Sequence, residues 1–154
     1  MKKLLLILGV LVVIGGIGYL TACPCGPVPG AWLLGDGPDG PVEDWSFVND
    51  RETVPLCQVE IKTWRPHSIN LNCFAEDGEL YVSCSNCAGK SWSGSALANP
   101  AGKLRAAGTV YPVNFERIEQ PAELDRIWAA RLLKIRREPT PRPNHWWTFH
   151  LTSR

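Results

Sequence analysis

Beyond residue 42 the chain alternates apolar and polar positions with a period of two. In residues 54–63, Cys57, Val59 and Ile61 are apolar while Gln58, Glu60 and Lys62 are polar, the pattern of a strand with one buried face. Residues 68–74 repeat it with Ile69, Leu71 and Cys73. Asp77-Gly78 is a hairpin turn signal, and residues 80–85 return as the partner strand. Two further extended runs, 103–110 and 113–119, are separated by Tyr111-Pro112. The period then lengthens: Leu124, Ile127, Trp128, Leu132 and Ile135 recur at helical spacing behind Pro121, which suits a first helical turn. These positions predict one amphipathic helix over 121–135, with Arg131, Lys134, Arg136 and Arg137 as a solvated basic terminus that suits the helix dipole. The closing HWWTFHLTSR returns to period two, with Trp147, Phe149 and Leu151 on one face. Strands on both sides of a single strong helix predict a mainly β (α+β) fold, an antiparallel six-stranded barrel with that helix packed against it.

The N-terminus follows neither period. Lys2 and Lys3 precede an uncharged apolar run of 17 residues from Leu4 to Leu20, which as a helix would be about 26 Å long, near the lower limit for crossing a bilayer. Leu20-Thr21-Ala22-Cys23 resembles a bacterial lipobox, in which small residues precede a cysteine that is lipidated and becomes the new N-terminus. Lipidation at Cys23 after cleavage, an uncleaved anchor and ordinary secretion are the three readings. All place the lysines inside and the domain on the periplasmic or outer side of a bacterial cell envelope. Residues 1–22 are therefore a signal peptide or anchor and 23–41, dense in Pro and Gly, a tether. The domain is 42–154. Within the tether, Ala31-Trp32-Leu33-Leu34 is apolar enough to dock on something.

Composition narrows this modestly. With 154 residues and a net charge of +1, the chain holds one ordinary domain and has no charge excess that would advertise nucleic acid. Six cysteines in an exported domain can be oxidised. If Cys23 carries lipid, five remain, and an odd count argues against a planned disulfide framework.

Candidate chemistry concentrates in SCSNCAGKSWSGSALANP, residues 83–100. Cys84 and Cys87 have the spacing of a metal knuckle, a redox dithiol or a local disulfide, or are two reduced small side chains. A zinc site needs four ligands, and the other candidates in the domain, Cys57 and Cys73 on strands and the scattered His67, His145 and His150, offer no second close pair. A redox dithiol prefers a helix N-terminus, whereas Cys84 ends a strand. Downstream, Ser85, Asn86, Gly89, Lys90 and Ser91 gather polar donors and one cation where a strand gives way to a helix. Free N–H groups there favour an anion, and Lys90 adds a full charge. The loop 85–92 is thus expected to be an anion-binding turn, with no metal.

The order of strand, RPHSINLNCFAEDGELYVSCSNCAGKSWSGSALANP, strand, strand, helix and closing WWTFHLTSR resembles the flavin-binding split β-barrel superfamily. That superfamily includes the pyridoxamine-phosphate-oxidase-like and deazaflavin-dependent nitroreductase-like proteins. The resemblance spans residues 54–154 and implies that a cofactor phosphate sits against Lys90 and Ser91. Arg65, His67 and Asn70 on the neighbouring strand would be further contacts, and the isoalloxazine would lie near residues 83–85. The deazaflavin branch carries a G-R-K-S-G turn where this chain reads IKTWRPH, which points away from F420. The oxidase branch offers several arginines to the FMN phosphate; this chain offers Arg65, Lys90 and Arg105.

The leading expectation is a membrane-tethered flavin oxidoreductase, with FMN or a related flavin supplying the chemistry. The alternatives are a non-enzymatic split barrel that binds haem or another small ligand, and an accessory subunit of a membrane complex. Homodimerisation is compatible with each. Seven Trp suit a docking surface, although core packing accounts for most of them. No catalytic residue is assignable; a strand histidine such as His67 or His150 is more often structural than a proton shuttle.

Overall fold

The computed structural model describes residues 2–22, 24, 28–35, 37–38, 40–61, 63 and 67–154. Helix α1 spans Lys2–Leu20 and none of it is buried; it is long and apolar enough to cross a membrane. Six strands follow, β1 Cys57–Ile61, β2 His67–Glu76, β3 Glu79–Ser85, β4 Ala101–Ala106, β5 Thr109–Ile118 and β6 Trp146–Ser153, with α2 at Ser91–Ala98 and α3 at Pro121–Lys134. They close into an antiparallel barrel in the order β1-β2-β3-β6-β5-β4, so each strand has a neighbour on both sides over part of its length.

The alternation in the sequence maps onto the inside of this barrel. Cys57 pairs with Leu71 and Val59 with Ile69, Val59 with Leu104, and Val82 with Phe149, so the odd positions of β1 and β2 share one lumen. Val59, Cys73, Leu80, Val82, Leu104, Val113, Phe149 and Leu151 are all fully buried there. The lumen is therefore a packed core, as expected for a small barrel. Gly102 lies where a Cβ would meet the Phe115 ring and the Glu60 carbonyl; only glycine lets β4 pass at that point.

Two hairpin turns mark one end of the barrel. Asp77 and Gly78 have φ of 52° and 81°, and Ala107 and Gly108 have 47° and 82°, the doubly positive geometry of a type I′ turn. The second turn corrects the sequence-based break at Tyr111-Pro112, for Pro112 lies inside β5 and pairs with Lys103. β6 ends at Ser153, opposite Val113, so Pro112 has a partner strand on one side only, where its missing N–H is tolerated. A 3₁₀ turn at Ser46–Asn49 closes this end, inserting Trp45 and Val48 into the core. At the opposite end, where β3 stops and β4 begins, α2 closes the barrel with Trp92 and Ala96.

Helix α3 covers the outer face of β2, β3 and β6, packing Ile127 and Ala130 on Phe74, Tyr81 and Trp146. The segment 28–35 covers another face. Gly30 and Ser68 exchange both backbone hydrogen bonds, at 2.8 and 3.0 Å, and the Leu33 N–H donates to the Glu60 carboxylate. The Lys103 ammonium donates to the Leu33 carbonyl at 3.2 Å, and the Arg105 guanidinium to the Leu34 carbonyl at 2.6 Å. Ala31 and Leu33 are buried while Trp32 and Leu34 are exposed. This apolar stretch therefore docks as a strand-like strap on the barrel.

The cysteines correct a second expectation. Cys57–Cys73 and Cys84–Cys87 are disulfides, with Cα separations of 5.6 and 5.8 Å. Because Cys57 pairs with Leu71, Cys73 is its diagonal neighbour on the same face, within disulfide reach. A cysteine count carries no register and could not show this. Cys23, the candidate lipidation site, and Cys25 lie outside the described residues.

Candidate functional site

The turn between β3 and α2 is built by its own backbone. Asn86 and Gly89 have φ of 53° and 81°, which reverses the chain twice within four residues. The Lys90 N–H donates to the Cys87 carbonyl at 3.1 Å. The Ser93 hydroxyl donates to the same carbonyl at 2.6 Å and to that of Lys90 at 3.0 Å. The fully buried Cys87 and its disulfide to Cys84 fix the turn to the barrel. Lys90 is the N-cap residue of α2 and makes no side-chain cap. The first helical bond runs from Gly94 N–H to the Lys90 carbonyl, which leaves the N–H groups of Ser91, Trp92 and Ser93 outside the ladder.

Beside this helix start lies a cleft of about 230 Å³, with Asn70 and Lys90 as its polar walls and Val28, Pro29, Ile69, Leu71 and Trp92 as its apolar ones. Two residues far apart in sequence, Asn70 on β2 and Lys90 before α2, thus meet at one opening. The Lys90 ammonium donates to the Ser85 carbonyl at 3.1 Å, which positions it over the turn and leaves two of its three protons for other acceptors. Ser91 and Ser85 are exposed on the same turn.

The other expected contacts are less concentrated. His67 opens β2 half-buried, paired with Ile61, and does not line the cleft. Arg65 lies outside the described residues. Arg105 is engaged with the Gln58 side chain at 3.0 Å and with the strap. Ser83 is buried on the outer face of β3, so only Cys84 and Ser85 of the stretch 83–85 reach the surface. His150 is held by Glu79 at 2.7 Å.

A residue that the periodicity placed in solvent lies at the hairpin end instead. Lys134 is only 7% exposed, and its ammonium donates to the Cys73 carbonyl and approaches Cys73 Sγ at 3.7 Å. β1 pairs with β2 only as far as Leu71, so the edge of β2 beyond it needs other partners. The Asn49 side chain takes both the N–H and the carbonyl of Ala75, at 2.8 and 3.0 Å, and Lys134 takes the carbonyl of Cys73. Loss of hydration, followed by the nearby Arg51 charge, pushes the Lys134 amine down to about 8. The signal for this burial was in the sequence: Lys134 stands seven residues after Ile127, on the buried stripe of α3, whereas Leu133 beside it is 78% exposed.

The architecture that carries these residues is a closed six-stranded antiparallel barrel capped by helices. Over 70% of this chain and 88% of the other, the structure superimposes with a TM-score of 0.53 and 10% identity on a solved Listeria innocua protein described as "Putative Pyridoxamine 5'-phosphate oxidase". At that identity the likeness is one of fold. No family model matches the chain, and no curated protein does.

Proposed function

We propose that the chain is a membrane-tethered, outward-facing split-barrel protein that binds FMN or a related flavin through its phosphate and acts as an oxidoreductase. The observation that supports this reading is the convergence of Asn70 and Lys90 on one cleft at the open start of α2. A cleft of about 230 Å³ suits a phosphate and its adjoining chain but is below the usual range for a whole cofactor. The ring would therefore lie over the turn near Cys84 and Ser85, or against a second copy of the chain in a homodimer. Bound flavin would supply hydride transfer. The residues of the chain would hold the phosphate by the Lys90 charge, Ser91 and the helix N–H groups, and orient the cofactor through Asn70, with Arg65 and His67 as outlying contacts.

Helix α1 would keep the domain at the envelope, as an uncleaved anchor or until processing at Cys23 hands that task to lipid. The absorption spectrum of detergent-extracted native protein tests the cofactor, and intact mass tests Cys23. Replacing Lys90 with Ala should weaken FMN binding roughly 10- to 150-fold, the loss of one charge-assisted contact. FMN binding unchanged by that substitution, or absent from native and reconstituted protein, would remove the reading.

A second reading, a non-enzymatic ligand binder or an accessory subunit of a membrane complex, draws support from the exposed Trp32 and Leu34 on the strap. The filled lumen leaves a haem no place inside the barrel, so a haem ligand would have to sit outside it.

A further inference from the structure

At the hairpin end, a cleft of about 340 Å³ opens between the residues after the 3₁₀ turn, the end of β2 and the end of α3, and Lys134 forms part of its wall. Its charges do not balance locally. Asp50 accepts from the Glu52 N–H at 2.9 Å and the Thr53 hydroxyl at 2.8 Å and keeps its negative charge, which partly offsets the effect of Arg51 on Lys134. Glu76 is paired with Arg126 at 3.2 Å. Among the described residues, Arg51 reaches the Ile135 carbonyl, at 3.4 Å, and neither Arg51 nor Arg136 has an ion-pair partner. The cleft therefore offers two guanidinium groups to an anion, with a desolvated amine between β2 and α3.

We propose that this cleft is a second ligand site, in which the Lys134 amine captures a small anionic carbonyl compound, a 2-oxo acid or aldehyde acid, as an imine. Arg51 and Arg136 would receive the carboxylate. The amine nitrogen adds to the carbonyl carbon, the carbonyl oxygen leaves as water, and the proton kept on the imine nitrogen stays directed at the Cys73 carbonyl. Desolvation and a neighbouring cation are the two ways by which a lysine becomes nucleophilic near neutral pH. Both act here, for burial and Arg51 are the causes that lower the Lys134 amine. The site stands without the flavin reading, since it lies at the opposite end of the barrel from Lys90.

The test is reductive trapping on the full chain. Glyoxylate with cyanoborohydride converts an imine into a stable carboxymethyl-lysine, which peptide mass mapping assigns to a residue. Lys90 and Lys103 in the same molecule serve as internal references. Lys134 is expected to label roughly tenfold or more faster than either, because far more of its amine is neutral near pH 8. Its rate should saturate with glyoxylate, fall when acetate competes, and fall in Arg136→Gln, a cleft residue that is not among the charges acting on the Lys134 amine. Labelling of Lys134 no faster than that of Lys90, or only after denaturation, would overturn the proposal and leave Lys134 as a cap on the β2 edge.

Discussion

The two ends of the barrel solve the same closure problem with opposite materials. At the α2 end a short helix inserts Trp92, and the turn before it leaves a lysine in water, fastened only to the Ser85 carbonyl. At the hairpin end the 3₁₀ turn inserts Val48 and Trp45, and Lys134 is drawn in to satisfy a strand edge that β1 is too short to reach. Each end also carries one disulfide. Cys57–Cys73 ties two strands 16 residues apart in sequence, whereas Cys84–Cys87 closes a turn of three. The difference shows that a charge's place in this fold follows from the backbone groups left unpaired near it: one lysine stays exposed over a turn, the other is buried against a strand edge.

The largest way to break the symmetry is to remove the disulfides one at a time. Loop-closure entropy gives about 3 kcal/mol for Cys57–Cys73 and about 2 kcal/mol for Cys84–Cys87. The Cys57→Ser/Cys73→Ser pair should therefore lower the urea midpoint further than Cys84→Ser/Cys87→Ser, with only the latter also altering ligand binding at Lys90.

Next in size is the pH dependence of Lys134. Its folded pKa is lowered, to about 8 from an ordinary 10.5, so above 8 the folded state releases a proton that the unfolded state still holds. Stability contributed by this group is thus lowest below pH 8 and rises between about pH 8 and 10.5. Measured against Lys134→Met, the wild-type protein should gain up to about 3 kcal/mol across that window, at about 1.4 kcal/mol per pKa unit. A flat difference would mean that the amine stays hydrated.

The smallest effect is expected at the other lysine. Lys90→Ala should leave the unfolding free energy within about 0.5 kcal/mol, as for other exposed positions, while ligand affinity changes as described above. A large loss of stability there would mean that the Ser85 carbonyl contact holds the turn and would erase the contrast between the ends.

The strands and helix were legible because their periods are imposed by a barrel wall with a dry inner face, and Val59, Leu71 and Phe149 each report that face locally. The pairing of Cys57 with Cys73 was not, since it depends on a register that no single strand encodes. Pro112 misled for a related reason: proline breaks a central strand, but here the register with β6 ends at Val113 and Pro112 has only to accept, from the Arg154 N–H at 3.0 Å. Of the candidate site, the turn and Lys90 were legible from residue type. Their meeting with Asn70 required the barrel to close, and Lys134 was missed because its charge was weighed above its place on the apolar stripe.

The strap also sets a distance. The carbonyls of Leu20 and Ala22 accept hydrogen bonds from Trp32 and Ala31, at 3.2 and 2.7 Å, so the chain doubles back within a dozen residues of leaving α1. Fully stretched, nine residues such as those between Leu20 and Gly30 could reach about 30 Å, yet the contacts of Ala31 and Trp32 hold the strap at the helix end. The leash between α1 and the strap is therefore short. Cutting the Lys103 and Glu60 grips on Leu33 would lengthen that leash without touching the lumen.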